Sequence, residues 1–124
     1  MNVLFAASEA RPFIASGGLA DVIGALPKAL NGAGCECRVI LPLYSAIPDK
    51  FREGMEQIDR FEVWLGWRHL YCGLYKTVLN GVTFYFIDNE YYFKRDAIYG
   101  QFDDGERFAF FSRACLEALS ALDY

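Results

Sequence analysis

Short apolar runs flank an amphipathic segment in the first third of the chain. Val3-Leu-Phe-Ala-Ala7 is continuous and apolar, as expected for a strand buried on both faces of a parallel sheet. Helical spacing of the next apolar residues predicts a helix over residues 19–31, in which Pro27 should kink the helix or remove one of its hydrogen bonds. A second strand is predicted over Cys37–Leu41, so this region should form a right-handed βαβ unit. The apolar positions of the predicted helix are Leu19, Val22, Ile23, Leu26, Ala29 and Leu30.

The middle of the chain predicts an antiparallel excursion from the parallel sheet. Residues 62–67 and 70–79 are rich in strand formers, and Asn80-Gly81 separates them from a further apolar strand, Val82–Ile87. A two-residue hairpin turn needs positive φ at both positions, which Asn and Gly tolerate. We therefore expect a hairpin centred on Asn80-Gly81.

Residues 89–104 predict a loop or short helix, and a final helix is expected over residues 105–122. Glu106 and Arg107 are expected to lie at the start of this helix and to stabilise it there, where an acid complements the helix dipole. A crossover helix in an α/β sheet normally leads to another parallel strand, and none follows here. We therefore expect the sequence to be an incomplete domain. The predicted apolar face of this helix comprises Phe108, Phe111, Ala114, Cys115, Ala118 and Leu122.

Composition narrows the class of protein. The chain has 124 residues, of which 54% are hydrophobic and 17% aromatic, which suits one modest globular domain. Its formal net charge is −4 and it has no basic stripe, which argues against nucleic acid as a partner. Glu9 comes too early for a signal peptide, and no apolar run reaches membrane-spanning length. A cytoplasmic protein without a membrane contact is expected.

The cysteines and the single histidine predict no metal site. Cys35 and Cys37 form a C-x-C pair without the second ligand pair that structural zinc needs, so reduced thiols are favoured over metal binding or a disulfide. The other cysteines are Cys72 and Cys115. His69 is interpreted as a surface or edge-strand residue.

The segment Ala15–Val22 is the first candidate for function. A strand, a glycine-rich turn and a helix point backbone N–H groups and the positive end of a helix dipole at an anion. The alternative is a tight turn in which Gly17 and Gly18 only supply permissive backbone angles. The motif is not a Walker A sequence, and its nearest cation is Arg11. Asp21 either stabilises the dipole as a first-turn acid or binds a sugar hydroxyl.

Aromatic residues before the last helix form a second candidate. Aromatic faces can stack on glucose rings, so a glucan contact is one interpretation; a lid or core segment is the other. The cluster comprises Tyr91, Tyr92, Phe93 and Tyr99, beside Lys94 and Arg95.

Several segments, in order along nearly the whole chain, resemble a known family. Val3–Glu9 followed by Ser16–Leu30 resembles the start of bacterial glycogen synthases and plant starch synthases. The segments that extend the resemblance are Arg38–Tyr44, Phe84–Asp88, Ile98–Gly100 and Glu106–Ala114.

This resemblance implies an α/β fold: the Rossmann-like N-terminal half of a two-Rossmann-domain, GT-B type glycosyltransferase, with a mostly parallel sheet and a β-hairpin excursion. Residues 1–124 would be an incomplete N-terminal domain of the starch synthase catalytic region. The implied reaction is retaining transfer of glucose from ADP-glucose, or UDP-glucose in some members, to the non-reducing end of an α-1,4-glucan. It implies no cofactor and no metal. The remaining partner would be the missing C-terminal Rossmann domain.

The resemblance also implies a donor and glucan site. The backbone of Gly17 and Gly18 would face the diphosphate of the donor, and Asp21 would lie at the donor site. Glu9 and Tyr99 would lie near the sugar subsites of the same cleft. Phosphate charge builds up as the glycosidic bond breaks, which suits a helix N-terminus. The positions carried over are Glu9, Ala15, Ser16, Gly17, Gly18, Asp21 and Tyr99.

Two departures from the family pattern matter. Ala15 stands where the family normally has Lys, and a methyl group cannot offset negative charge on the donor; by analogy the loss is on the order of 2–4 kcal/mol of transition-state stabilisation. The family's catalytic groups would lie beyond Tyr124, so no catalytic residue is assigned within this chain and we expect it to be inactive alone. A non-catalytic glucan- or nucleotide-binding relative and a general nucleotide-binding module are the alternatives.

Overall fold

Five strands form one mixed sheet in residues 1–122, which are the residues that the computed structural model describes; positions 123 and 124 of the predicted domain lie outside them. The strand order is β1-β2-β5-β4-β3. The strands are β1 (Asn2–Ala6), β2 (Glu36–Pro42), β3 (Glu56–Leu65), β4 (Arg68–Leu79) and β5 (Val82–Asp88). The helices are α1 (Gly18–Gly32), α2 (Asp49–Arg52), α3 (Glu90–Phe93) and α4 (Asp104–Ala118), the last followed by a 3₁₀ turn, Leu119–Ala121.

The parallel half of the sheet contains β1, β2 and β5. β1 pairs with β2, β2 pairs with β5, and α1 connects the first two strands as the predicted crossover. β2 lies in the centre of this half and is buried from Val39 to its end, which explains its continuous apolar sequence. The predicted α/β, Rossmann-like fold class is confirmed, and β1, α1 and β2 have bounds within one residue of the prediction. The prediction was less accurate elsewhere: β3 begins six residues before the predicted segment 62–67, and α4 ends at Ala118 rather than at residue 122.

The antiparallel half contains β3 and β4, which continue the same sheet from β5. The hairpin turn at Asn80-Gly81 is confirmed, since these residues have φ of 52° and 79°. Gly73 of β4 pairs with Asp88, the last residue of β5, so the beginning of β4 extends beyond the carboxyl end of β5. The turn between β3 and β4 therefore lies at the same edge of the sheet as the carboxyl ends of the parallel strands.

Helix α1 packs on the sheet along a narrower stripe than its apolar pattern predicts. Its buried residues are Ala20, Ile23 and Pro27, and the helix continues through Pro27 to Gly32. The helix predicted from the apolar spacing is confirmed, but three of its apolar positions, Leu19, Val22 and Leu26, are 43%, 52% and 40% exposed. The neighbouring apolar positions of α1 therefore face outward.

Helix α4 packs against strands β2, β3 and β5 of the sheet. Phe111, Ala114, Cys115 and Ala118 are buried as predicted, and Leu122 is buried after the 3₁₀ turn. Phe110 is fully buried, although its position lies outside the predicted face. Among the described residues, no helix is both long and apolar enough to cross a membrane.

Candidate functional site

The Glu9 carboxylate is the centre of the candidate site, at the carboxyl end of β1. Its side chain is only 3% exposed although it is charged. Oε2 accepts hydrogen bonds from the backbone N–H groups of Ser16 (2.5 Å) and Gly17 (3.2 Å). Oε1 accepts from the hydroxyls of Tyr99 (3.0 Å) and Ser16 (3.3 Å). A carboxylate of this chain thus already accepts from part of the turn that the sequence predicts to bind an anion.

These donors decide the charge of Glu9. Burial raises the pKa of the Glu9 carboxyl, but the hydrogen bonds from Ser16, Tyr99 and Gly17 together lower it further, so its pKa lies below the usual value. Glu9 is therefore ionised at neutral pH and acts only as an acceptor.

Tyr99 connects the turn to a distant part of the chain. Because Glu9 only accepts, the Tyr99 hydroxyl donates its proton to Glu9, and Ser8 Oγ, at 2.5 Å, donates to the Tyr99 oxygen. The hydroxyl of Tyr44, after β2, donates to the carbonyl of Ser8 at 2.7 Å. The predicted sugar-side residues Glu9 and Tyr99 are thus brought together, and Ser8 and Tyr44 belong to the same network although sequence reasoning did not select them.

Two Arg–Asp pairs hold the loop that carries Tyr99. Arg95 makes a bidentate pair with Asp103, at 2.9 Å and 3.0 Å. Asp104 accepts from the backbone N–H groups of Gly100 (2.8 Å) and Gln101 (3.1 Å), immediately after Tyr99, and from the Arg107 guanidinium (2.8 Å). The hydroxyl of Tyr99 is therefore positioned by side chains on and beside α4.

Arg107 lies at the centre of this arrangement and is fully buried. Its guanidinium donates to the carbonyl oxygens of Tyr92 (2.7 Å) and Ile98 (3.1 Å) as well as to Asp104. Its Nη2 has no hydrogen-bond partner in residues 1–122, and the group lies near the rings of Phe93 and Phe108. Arg107 lies in the first turn of α4, as expected, but its full burial and its bonds to the carbonyls of Tyr92 and Ile98 were not predicted. Its spacing from the buried positions 110, 111 and 114 was the available signal.

The backbone at Gly17 and Gly18 does not require glycine. Gly17 has an extended φ of −162°, and neither residue is among those with positive φ. A Cβ atom at either position would meet no atom of the described residues within 4 Å. The interpretation in which these glycines only supply permissive backbone angles therefore has no support in the geometry.

Asp21 and Ala15 lie beside the same turn. Asp21, in the first turn of α1, pairs with Arg11 at 2.6 Å, and both side chains are exposed, at 64% and 61%. Ala15 is half-buried next to Ser16. The nearest cation in the sequence is therefore engaged with Asp21, and the roles of both positions toward a ligand stay predictions.

The aromatic cluster before α4 is divided by the fold. Tyr92 and Phe93 are fully buried, which makes them core residues, whereas Tyr91 and Tyr99 are 57% and 37% exposed.

His69 lies on the surface, 3.0 Å from Glu62, in agreement with its interpretation as a surface or edge-strand residue. All four cysteines are free thiols, and residues 1–122 contain no cluster of three or more metal-ligating side chains.

Polar groups that converge at the carboxyl ends of parallel strands define a ligand-binding α/β domain. The family model described as "Starch synthase catalytic domain" matches residues 2–124, and the chain belongs to this family. It is 58% identical to a glycogen synthase of Bacillus cereus (strain Q1) and 59% identical to one of Streptococcus pneumoniae (strain CGSP14), in each case over the whole chain. It spans 26% of the length of these relatives.

The fold is also similar to a solved structure of a plant enzyme. The chain superposes on the catalytic domain of Starch Synthase IV from Arabidopsis thaliana, bound to ADP and acarbose, with a TM-score of 0.83 and 30% identity. The match covers 96% of this chain and 25% of that one. The GT-B type fold expected from the sequence is thereby confirmed.

Proposed function

We propose that this chain is the N-terminal part of the first Rossmann-like domain of a glycogen or starch synthase. The complete protein would transfer glucose, with retention, from ADP-glucose to the non-reducing end of an α-1,4-glucan, in the cytoplasm. Membership of the family and the ADP-bound plant relative support this proposal. ADP-glucose is preferred to UDP-glucose as the donor because the plant relative is bound to ADP.

The observation that carries the proposal is the pair of glycines without a conformational reason. Gly17 and Gly18 stand at the N-terminus of a helix of 15 residues, with open space where their Cβ atoms would be. A helix N-terminus attracts phosphate through its N–H groups and dipole, and glycine lets a ligand approach the backbone closely. A diphosphate above this turn explains both glycines.

Glu9 determines which N–H groups the diphosphate would use. The N–H groups of Ser16 and Gly17 donate to Glu9, whereas the first turn of α1, starting at Gly18, carries the N–H groups that any helix leaves without an intrahelical partner. We therefore place the diphosphate at Gly18 and the first turn of α1. Glu9 and Tyr99 would hold the turn in position and line the sugar side of the site.

The isolated chain should not transfer glucose, because the proposed site has only one of its two domain walls and contains no assigned catalytic group. The test compares the 124-residue chain with the full-length protein that carries it, using radiolabelled ADP-glucose or UDP-glucose and glycogen. Transfer only by the full-length protein, and faster from ADP-glucose, is expected. Transfer by the chain alone would overturn the proposed inactivity, and faster transfer from UDP-glucose would overturn the donor preference.

Ala15 supports one alternative, a relative that binds nucleotide or glucan without turnover. Ala15→Lys in the full-length protein separates the two functions, with Ala29→Lys on the exposed side of α1 as the control for added charge. A rise in kcat/KM of roughly 30-fold or more with Ala15→Lys alone indicates an enzyme that the alanine weakens, given the 2–4 kcal/mol of one charge-stabilising group. Binding of ADP-glucose without turnover in both variants favours the non-catalytic function.

A further inference from the structure

Arg11 lies beside the first turn of α1, where the proposed function places the diphosphate. Its backbone N–H donates to the carbonyl of Ala20 at 3.1 Å. Gly24, one turn further along α1, allows this close contact, since a Cβ atom there would lie only 3.0 Å from the Cβ of Arg11. The backbone of Arg11 is therefore fixed against α1, and its side chain reaches back along the helix to Asp21 in the first turn.

Asp21 occupies only one edge of the Arg11 guanidinium. Nε donates to Asp21 Oδ1 at 2.6 Å, and neither Nη1 nor Nη2 donates a hydrogen bond to any group in residues 1–122. A guanidinium carries its N–H donors in a rigid fork, and two parallel donors match two oxygens of one phosphate. Because the Arg11 side chain is 61% exposed, its free edge is open to a ligand, while Asp21 fixes its orientation.

Arg11 is also the basic side chain nearest to the glycine turn in the sequence. Residues 1–30 contain two basic side chains, Arg11 and Lys28. Lys28 lies in the second half of α1, about 15 Å from Gly18 along the helix axis at about 1.5 Å per residue. Ala15, where the family normally has Lys, carries no charge. The segment that leads into α1 therefore offers a diphosphate its cation at position 11 instead of position 15.

Side chains at positions 11 and 15 can reach the same ligand. Ala10 and Ile14 pair through two backbone hydrogen bonds of 3.1 Å and 3.0 Å, which closes the loop between them. Paired residues of this kind have Cα atoms about 5.5 Å apart, and each further residue adds about 3.3 Å along the chain, so the Cα atoms of Arg11 and Ala15 lie roughly 9 Å apart. Long side chains at the two positions can therefore meet at one phosphate group.

We propose that Arg11 binds the diphosphate of ADP-glucose and supplies the positive charge that Ala15 does not. This inference rests on the proposed function, which provides the donor. Transfer breaks the bond between glucose C1 and the diphosphate oxygen, which keeps the electron pair, and joins C1 to a glucan hydroxyl oxygen, which loses its proton. The leaving ADP gains negative charge in this step, so a guanidinium fixed beside it stabilises the transition state more than the bound substrate.

The first test measures transfer by the full-length protein that carries this chain. Arg11→Ala should lower kcat/KM for ADP-glucose roughly 10- to 100-fold, the factor that hydrogen bonds to a charged group provide. Arg11→Lys keeps the charge without the fork and should lose less. Lys28→Ala is the matched control, because Lys28 is exposed on the same helix and distant from Gly18, and it should leave kcat/KM unchanged. An Arg11→Ala protein that is as active as this control would overturn the inference.

Ala15→Lys tests whether the two positions supply the same charge. In the protein that retains Arg11, Ala15→Lys should raise kcat/KM only a few-fold, less than the roughly 30-fold that a charge missing from the site would give. Combined with Arg11→Ala, the same substitution should restore most of the lost activity, which a merely structural role of Arg11 does not predict. Equal factors for Ala15→Lys in the two backgrounds would show that the positions act independently and would overturn the inference.

Calorimetric titration with ADP and with adenosine provides a second measurement that needs no turnover. Arg11→Ala should weaken the binding of ADP and leave that of adenosine unchanged, because only ADP carries the diphosphate. Unchanged binding of ADP, or equal weakening of both ligands, would overturn the role of Arg11, while glucose transfer from ADP-glucose by the wild type would still support the proposed function. A full-length protein that neither binds ADP-glucose nor transfers glucose would contradict both.

Discussion

The hydroxyl of Tyr99 donates to the carboxylate of Glu9 at 3.0 Å, across a separation of 90 positions in the chain. The same carboxylate accepts from the N–H groups of Ser16 and Gly17. This contact joins the start of the chain to the loop before α4 and fixes the glycine turn from one side. The candidate site is therefore organised by an internal anion.

Gly18→Ala should separate stability from ligand binding. Alanine is a better helix former than glycine by about 0.5–1 kcal/mol, and its Cβ meets nothing within 4 Å, so the free energy of unfolding should stay equal or rise. The affinity for ADP-glucose in the full-length protein should fall, because the methyl group prevents close approach of the diphosphate. Thermal denaturation and calorimetric titration measure the two effects. Ala29→Gly is the matched control and should lower the free energy of unfolding without changing the affinity for ADP-glucose. A lower free energy of unfolding for Gly18→Ala would contradict the interpretation that the backbone at Gly18 does not require glycine.

Glu9→Gln should weaken the turn in a pH-dependent way. The amide still accepts from the backbone donors, and the hydroxyls can reverse, so the loss at pH 7 should be about 1 kcal/mol, the difference between charged and neutral hydrogen bonds. Since the pKa of Glu9 is lower in the folded protein, its stabilisation is complete above the usual carboxyl pKa and is lost as the pH falls through the folded value.

Urea denaturation between pH 3 and pH 7 measures this difference. The wild type and Glu9→Gln should differ most at neutral pH and converge in acid. Glu53→Gln, at an exposed position, should show neither effect. A gap between wild type and Glu9→Gln that widens in acid would contradict the direction of the shift.

Arg107→Met should be among the most destabilising substitutions in the chain. It removes the donor to two backbone carbonyls and Asp104 inside the core, at a cost on the order of 3 kcal/mol. Arg113→Met, on the exposed side of the same helix, should cost at most about 0.5 kcal/mol, because its pair with Glu117 is on the surface. Chemical denaturation of both variants provides the comparison, and equal free energies of unfolding would contradict the stabilising role of the Arg107 hydrogen bonds.

Only one thiol should react readily in the native protein. Cys35 is half-buried, whereas Cys37, Cys72 and Cys115 are buried. Burial raises the pKa of Cys72 and Cys115 to about 12, so their thiolate forms are scarce at neutral pH. Titration with Ellman's reagent should label Cys35 alone before denaturation and all four cysteines afterwards. Rapid labelling of Cys72 or Cys115 in the native state would contradict the packing of α4 on the sheet.

The local sequence was sufficient for most of the elements and their order, although it did not predict the short helix α2 or the first six residues of β3. Continuous apolar runs predicted β1 and β2 because both faces of a parallel strand are covered, and Asn80-Gly81 predicted its hairpin because few other pairs tolerate positive φ twice. The resemblance of the glycine turn and its neighbouring segments to glycogen and starch synthases also depended only on residues in sequence. Each of these signals is contained within a few neighbouring positions.

Tertiary structure decided which apolar stripe is buried and which polar side chains meet. The spacing of α1 made Leu19 and Ile23 equivalent, whereas in the folded chain Ile23 is buried and Leu19 is 43% exposed. The contact of Glu9 with Tyr99 joins segments whose distance depends on the whole sheet, and the burial of Arg107 depends on the carbonyls that α3 and its loop present to α4. Hydrogen bonds between distant segments leave no periodic trace in the sequence, because each partner satisfies a geometry that exists only after folding.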